Sequence, residues 1–322
     1  MDNIKKDTVL VTGGAGFIGS HLVDELLFQG HRVIVIDDLS TGNKNNVIKE
    51  RDFVCSYLFN ELNIGSNIAE EVLTHLLKRE NVRYIFHCAS IPRTQYCVEN
   101  PGECNQANVT GTLNVLNAAV KSKNIKKIIL SSSCGIYGAQ KKLPITEEAP
   151  INMGTPYSVQ KYMQELYVNL FNTLYELPAV ILRYFNVYGT KRQTEKGSYP
   201  NVLAAFSKQK RENGKIFITG NGKQSRDMVH VYDVVNANII AMHSDLENAE
   251  VFNIGTGKKI SINSMAKHFK CPIEYIEKRP GEAKDLYADI SKTIKGLNWK
   301  PKISFKKGIQ GYLEQTNDLL KK

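Results

Sequence analysis

A glycine-rich turn near the start constrains the fold of this chain more than any other segment. Val9, Leu10, Val11 and Thr12 read as a short buried strand that runs directly into Gly13, Gly16 and Gly19, with Phe17 and Ile18 between the last two glycines. From Ser20 onward the apolar residues Leu22, Val23, Leu26 and Leu27 fall at helical spacing. Such glycines let the chain turn tightly, let a pyrophosphate approach the backbone and let helix and strand pack closely. The helix start then offers free N–H groups to phosphate oxygens. A second strand over 32–36 follows and ends at Asp37 and Asp38. An acidic residue about 20 positions past the turn suits the two ribose hydroxyls of NAD and repels a 2′-phosphate, so Asp37 is assigned that contact.

The same alternation continues along the chain. Strands are expected over 83–89, 127–130 and 179–183, and helices over 108–120 and 157–175. The fold class is therefore α/β, a Rossmann-type doubly wound parallel sheet covered on both faces. After Asn186 the pattern loosens into loops rich in Gly, Lys and Asn, with short apolar pieces at 216–218 and 273–276. This predicts a smaller mixed α/β substrate lobe over 186–322, interleaved with a nucleotide-binding domain over 1–185. Residues 226–250 are expected to return to the first domain, with 228–243 rejoining its sheet.

Formal net charge is +10 over 322 residues, yet the lysines are scattered as singles and pairs with no aromatic-interleaved tract, so no nucleic-acid partner is expected. A positive field instead favours capture of a small polyanion. There is no run of some 18 apolar residues, and 1–7 lead into a strand without the apolar core of a signal peptide. A cytoplasmic protein without a membrane partner is the expectation. Cys55, Cys88, Cys97, Cys104, Cys134 and Cys271 show no metal-type spacing, which predicts reduced thiols and no metal.

Two further segments carry chemistry. Tyr157 and Lys161 share one face if 157–175 is a helix, so an ammonium can lie beside a phenol and make its anion more accessible. The spacing by itself is shared by many helices. Ser131, Ser132 and Ser133 end an apolar strand, and the carboxyl edge of a parallel sheet is where ligands bind. A strand-end turn that satisfies backbone groups uses the same residues.

As an ordered set these segments resemble the extended short-chain dehydrogenase/reductases, and within them the UDP-sugar 4-epimerases of the UDP-galactose 4-epimerase type. The resemblance runs from the Thr12 to Ser20 turn through Asn108 to Thr112, Ser131 to Gly138, Pro156 to Lys161, Leu182 to Gly189, Ser225 to Asp227 and Asn253 to Gly255. It implies NAD as cofactor and C4 epimerisation of a UDP-sugar through a transient 4-keto sugar. Tyr157 would be the base and Lys161 its partner on the nicotinamide ribose. Ser133 would hold the sugar 4-oxygen, with Ser132 as the alternative. Ala89, Asn108, Ser131 and Tyr184 are carried to cofactor positions, and Asn186, Asn201, Arg226, Arg279 and Leu286 to substrate positions. Arginine suits a diphosphate because its planar fork binds phosphate oxygens bidentately. A homodimer is implied through 108–120 and 157–175.

Dehydratases and decarboxylases of similar sequence place an acidic residue after the serine region, where this chain has Cys134 and Gly135. Chemistry beyond C4 is therefore disfavoured. Leu286, intermediate in size at the pocket-wall position, leaves glucose/galactose and the N-acetyl pair both open, and Arg93 keeps UDP-glucuronate open. Other sugar-nucleotide-modifying chemistry remains an alternative. A non-catalytic NAD-sensing regulator on this fold would be expected to lack the tyrosine or lysine. Tyr57 stands where similar chains carry an acidic residue for the adenine.

Overall fold

Val9 to Val11 and Val33 to Ile36 are fully buried, as unbroken apolar strands covered on both faces should be. They belong to a computed structural model that describes residues 6–47, 57–193, 201–277 and 284–317. Strands β1 (Thr8–Thr12), β2 (Arg32–Asp37), β3 (Tyr57–Glu61), β4 (Val82–His87), β5 (Lys127–Ser133) and β6 (Ala179–Tyr184) join Asn248–Ile254 in one seven-stranded sheet. Its order is Asn248–Ile254, β6, β5, β4, β1, β2, β3. The pairs β1–β2, β1–β4, β2–β3 and β4–β5 are parallel. Because β1 lies between β2 and β4, strand order reverses beside it, and the carboxyl ends of β1 and β4 meet: Cys88 N–H donates to the Thr12 carbonyl at 3.1 Å.

Helices α1 (Phe17–Phe28), α2 (Ala69–Arg79), α3 (Thr94–Glu99), α4 (Pro101–Asn105), α5 (Gly111–Ser122) and α6 (Pro156–Tyr175) connect these strands. A π-turn over Gln106–Thr110 leads into α5. In α2, Leu73, Leu76 and Leu77 are buried, while Glu70 and Glu71 open the helix and Lys78 and Arg79 close it, matching the helix dipole. These leucines pack with Leu10, Ile34, Ile85, Val115, Leu116, Ile128 and Ile181 in one apolar core.

The chain divides into two compact units, one of Met1–Ser132, Thr155–Leu182 and Asn238–Val251, the other of Ser133–Gly154, Arg183–Ala237 and Phe252–Lys322. The second has its own core, in which Tyr188, Leu203, Phe206, Ile216, Met228, Met265, Phe269 and Tyr312 are buried. It is built from short pairings: Asn186–Tyr188 with Met228–His230, Ile216–Thr219 with Ile273–Ile276, and Ser225–Arg226 between Ile260–Ser261 and Asp285–Leu286. Thus 228–243 does not rejoin the large sheet. Val231, Val234, Val235, Ile239 and Met242 are buried at helical spacing, so Val231–His243 is a helix, and Asn248–Ile254 makes the return.

Candidate active site

In the first unit the glycine turn is fixed by close backbone approach. Gly13 has φ of +67°, and a Cβ there would lie 2.7 Å from the Ala89 nitrogen; a Cβ on Gly19 would lie 2.2 Å from the Gly13 carbonyl oxygen. Gly16 caps α1 without a side chain, so Phe17 and Ile18 begin a helix whose first N–H groups have no side-chain acceptor. Asp37, 7 % exposed, accepts from Ala15 N–H at 2.9 Å and from Leu39 N–H at 2.9 Å. Burial pushes its carboxyl above the usual range, while the Leu39 and Ala15 N–H groups pull it back. A carboxylate has about four acceptor sites, so two such bonds leave room for a ribose diol. The turn, the uncapped helix start and the buried carboxylate fit a dinucleotide.

The register corrects one sequence expectation. Tyr57 pairs with Val33, whereas Asp37 pairs with Glu61. Glu61, four residues later than expected, is therefore the acidic group level with Asp37, and the signal was an acidic residue at the end of the third strand. The Tyr57 hydroxyl is buried and pushed up to about 12 by burial, with the Asp37 charge adding. Phe53 to Ser56 lie outside the described residues.

Helix α6 starts sharply. Thr155 and Ser158 form a capping box, with Ser158 N–H donating to Thr155 Oγ1 at 3.2 Å and Thr155 N–H to Ser158 Oγ at 3.1 Å, and Pro156 takes the first helical position. This start places Tyr157 in the first turn and Lys161 one turn on. Lys161 is 3 % exposed, and its Nζ donates to the Ser131 carbonyl at 2.8 Å. Burial brings its ammonium down to about 8, opposed by Cys88, Glu165 and Cys97. Tyr157 packs against Ile91, Cys97 and Cys104. Arg93 begins α3 as its N-cap, two residues after Ile91.

The serines diverge. Ser131 Oγ donates to Cys88 Sγ at 3.2 Å. Ser132 Oγ donates to the buried Glu165 of α6, which commits its proton. Asn108 accepts from Ile91 N–H at 2.7 Å and donates to Gln160 at 2.9 Å.

In the second unit Ser133 ends β5 and accepts from Gly135 N–H at 3.1 Å, capping a short turn over Cys134–Tyr137. Accepting leaves its own proton for another oxygen. Cys134 is buried, and burial pushes its thiol up to about 12, with the Asp227 charge adding. It is a neutral group at neutral pH. Arg226 is the register partner of Leu286, so both side chains stand on one face of a two-residue ladder. Asn186 joins them, donating through Nδ2 to the Asp227 carbonyl at 3.2 Å. Buried Asp227 accepts from Thr256 N–H at 2.8 Å, Thr256 Oγ1 at 2.6 Å, Gly257 N–H at 3.0 Å and Ala288 N–H at 3.2 Å. Tyr184 is a buried residue at the end of β6, and Asn201 is the exposed N-cap of Val202–Asn213. Arg279 lies outside the described residues. Sequence reasoning named Asp227 only as part of a segment and gave it no role, since its partners are 29 to 61 residues away. Among the described residues no cluster of three or more His, Cys, Asp or Glu is placed to hold a metal, and no helix is long and apolar enough to cross a membrane.

The model of the NAD dependent epimerase/dehydratase family matches residues 9–255. A UDP-glucose 4-epimerase of Mycolicibacterium smegmatis is 32 % identical over 312 residues, 95 % of this chain and 97 % of that protein. Among solved structures, a Thermotoga maritima UDP-glucose 4-epimerase with UDP-glucose superposes with a TM-score of 0.89 at 35 % identity, covering 97 % of this chain and 99 % of that one. A Methanobrevibacter ruminantium UDP-N-acetylglucosamine 4-epimerase in complex with UDP-N-acetylmuramic acid gives 0.88 at 32 %, covering 98 % and 100 %. With the glycine turn, the Tyr157–Lys161 helix and a match over most of its length, this chain belongs to the NAD-dependent epimerase/dehydratase family.

Proposed function

We infer that this chain epimerises C4 of a UDP-sugar with NAD as its resident oxidant. The observation that carries the reading is Lys161, a buried ammonium seated on the Ser131 carbonyl one helical turn from Tyr157. NAD, held by Gly13, Gly16, Phe17, Ile18, Gly19, Asp37 and Ala89 with Asn108, Ser131 and Tyr184 as further contacts, supplies reversible hydride exchange when bound. Lys161 orients the ribose and favours the Tyr157 phenolate. Tyr157 takes the 4-hydroxyl proton and returns it after the keto sugar has turned over. Ser133 donates to the same oxygen. Ser132 instead seats α6 through Glu165. Arg226 and Arg279 clamp the diphosphate, Asn186 and Asn201 contact the sugar nucleotide, and Leu286 borders the sugar. The 1–185 portion serves the nucleotide and the 186–322 portion the substrate.

Cys134 favours epimerisation over elimination, since a buried neutral thiol does not replace a carboxyl group. Arg93 supports a second substrate reading, a uronate, because it lies two residues from the Ile91 contact of Tyr157. Purified protein given UDP-galactose, UDP-N-acetylgalactosamine and UDP-galacturonate separately should convert at least one to its C4 epimer. Tyr157→Phe should lower kcat by about 10²–10⁴-fold in a folded enzyme. Conversion of none, or a fully active Tyr157→Phe, would overturn the reading.

A cytoplasmic homodimer completes the proposal. The described cysteines Cys88, Cys97, Cys104, Cys134 and Cys271 are free thiols, as in a reducing compartment. On α6, Val159, Leu166, Leu170 and Leu174 are 39 to 61 % exposed at intervals of seven, four and four, an apolar seam suited to the same helix of a second copy. Leu166→Glu with Leu170→Glu should move elution from dimer to monomer mass; wild-type elution as a monomer at all concentrations excludes the dimer.

A further inference from the structure

Behind the glycine turn a buried polar chain joins β1, β4, the π-turn, α5 and α6 of the first unit. Thr12 Oγ1 lies 2.8 Å from His87 Nδ1, His87 Nε2 lies 2.9 Å from Thr112 Oγ1, and Thr112 Oγ1 lies 2.6 Å from the Asn108 carbonyl oxygen. Gln164 of α6 donates through Nε2 to that carbonyl at 2.7 Å and to Thr112 Oγ1 at 2.7 Å. The proton positions follow from one end. A carbonyl only accepts, so the Thr112 hydroxyl proton is committed to Asn108. Thr112 Oγ1 must then accept from His87, so Nε2 carries the proton. Nδ1 of a neutral ring is then bare and accepts from the Thr12 hydroxyl, whose oxygen accepts from Ala89 N–H at 3.3 Å. His87 is 2 % exposed, and burial pushes its ring down to about 3, with the Lys161 charge adding.

We propose that His87, held as the neutral Nε2–H tautomer, is a positioning residue that registers helix α6 against the glycine turn. The inference rests on reading α6 as the catalytic helix. The chain ties Thr12, immediately before Gly13, to Gln164, one turn beyond Lys161. A parallel tie runs from Asn108 Nδ2 to Gln160 at 2.9 Å. The Asn108 carbonyl, within the π-turn, is the point where both side-chain donors converge. An imidazolium would turn Thr12 Oγ1 into an acceptor and take from the Thr12 proton its partner on Nδ1, and its charge would be buried with the Lys161 charge nearby.

The test uses the NAD-loaded enzyme labelled with ¹⁵N at histidine. One imidazole, identified by its loss in His87→Gln, should show a protonated Nε2 and a bare Nδ1, unchanged from about pH 5 to 8. Thr112→Val should then lower kcat roughly 10–100-fold at unchanged KM and raise the rate of NAD loss, and Thr112→Ser should restore both. An Nδ1–H tautomer, a ring that titrates in that range, or a folded Thr112→Val with wild-type kcat and NAD retention would overturn the proposal. If the wild-type enzyme turns over no UDP-sugar, the functional reading falls, while the tautomer and NAD retention still decide the role of His87.

Discussion

The two units hold their functional side chains by different means. In the first, Tyr157 and Lys161 ride one long capped helix, and the groups behind them are buried and joined by hydrogen bonds between elements. In the second, Arg226 and Leu286 sit on two-residue strands, and a single carboxylate, Asp227, gathers the loops around them. Groups that move protons and hydride need sub-ångström placement and a tuned charge, which a rigid buried helix supplies. In the proposed roles, the groups that grip a diphosphate and border a sugar stand on short strands whose placement rests on the loops around them. The contrast predicts that damage around Tyr157 and Lys161 falls on kcat and damage around Arg226 and Leu286 on KM.

Lys161→Met is the harshest test of that contrast. Loss of the ammonium should cut kcat by about 10²–10⁴-fold, in the range of a lost acid–base partner. Stability should move the other way. The unfolded lysine titrates near 10.5 and the folded one near 8, so between those values the unfolded chain binds more protons and stability rises with pH. Below about 8 the buried charge costs the fold on the order of 3 kcal/mol. Removing it while leaving the Ser131 carbonyl without its donor costs back about 1–3 kcal/mol, for a net gain of about 1 kcal/mol at neutral pH. Urea denaturation should show that gain and a flattened slope from pH 8 to 10.5. A variant less stable by several kcal/mol would mean that Lys161 holds the fold together rather than straining it.

The same difference explains what could be read from the sequence. The glycine turn, Asp37 and the Tyr157–Lys161 pair are local patterns of strand, turn and helix period, and the fold class follows from their repetition. His87 was invisible because Thr12 and Thr112 stand 75 and 25 residues away from it, and a histidine in an apolar strand carries no period. Ser132 and Ser133 are adjacent in sequence, and only their partners, Glu165 and Gly135, separate a helix anchor from a turn cap. Glu61 needed the register of β3, and the pairing of Arg226 with Leu286 needed strands too short to leave any alternation.

Asp227→Ala breaks the comparison from the other side. Four donors, from Thr256, Gly257 and Ala288, would lose a buried acceptor at once. Charge-assisted bonds of this kind contribute about 1.5–3 kcal/mol each where fully buried, but the loops can relax, so a loss of about 3 kcal/mol is expected in urea denaturation. Asp227→Asn should not recover it fully, because an amide turns N–H groups towards donors where the carboxylate offered oxygens. In variants kept folded, the prediction is a KM for the UDP-sugar raised about tenfold with kcat within a few-fold, since Ala288 follows Leu286 by two residues and Arg226 immediately precedes Asp227. A fall in kcat at unchanged KM would place Asp227 with the chemistry of Lys161 and remove the distinction between the two regions.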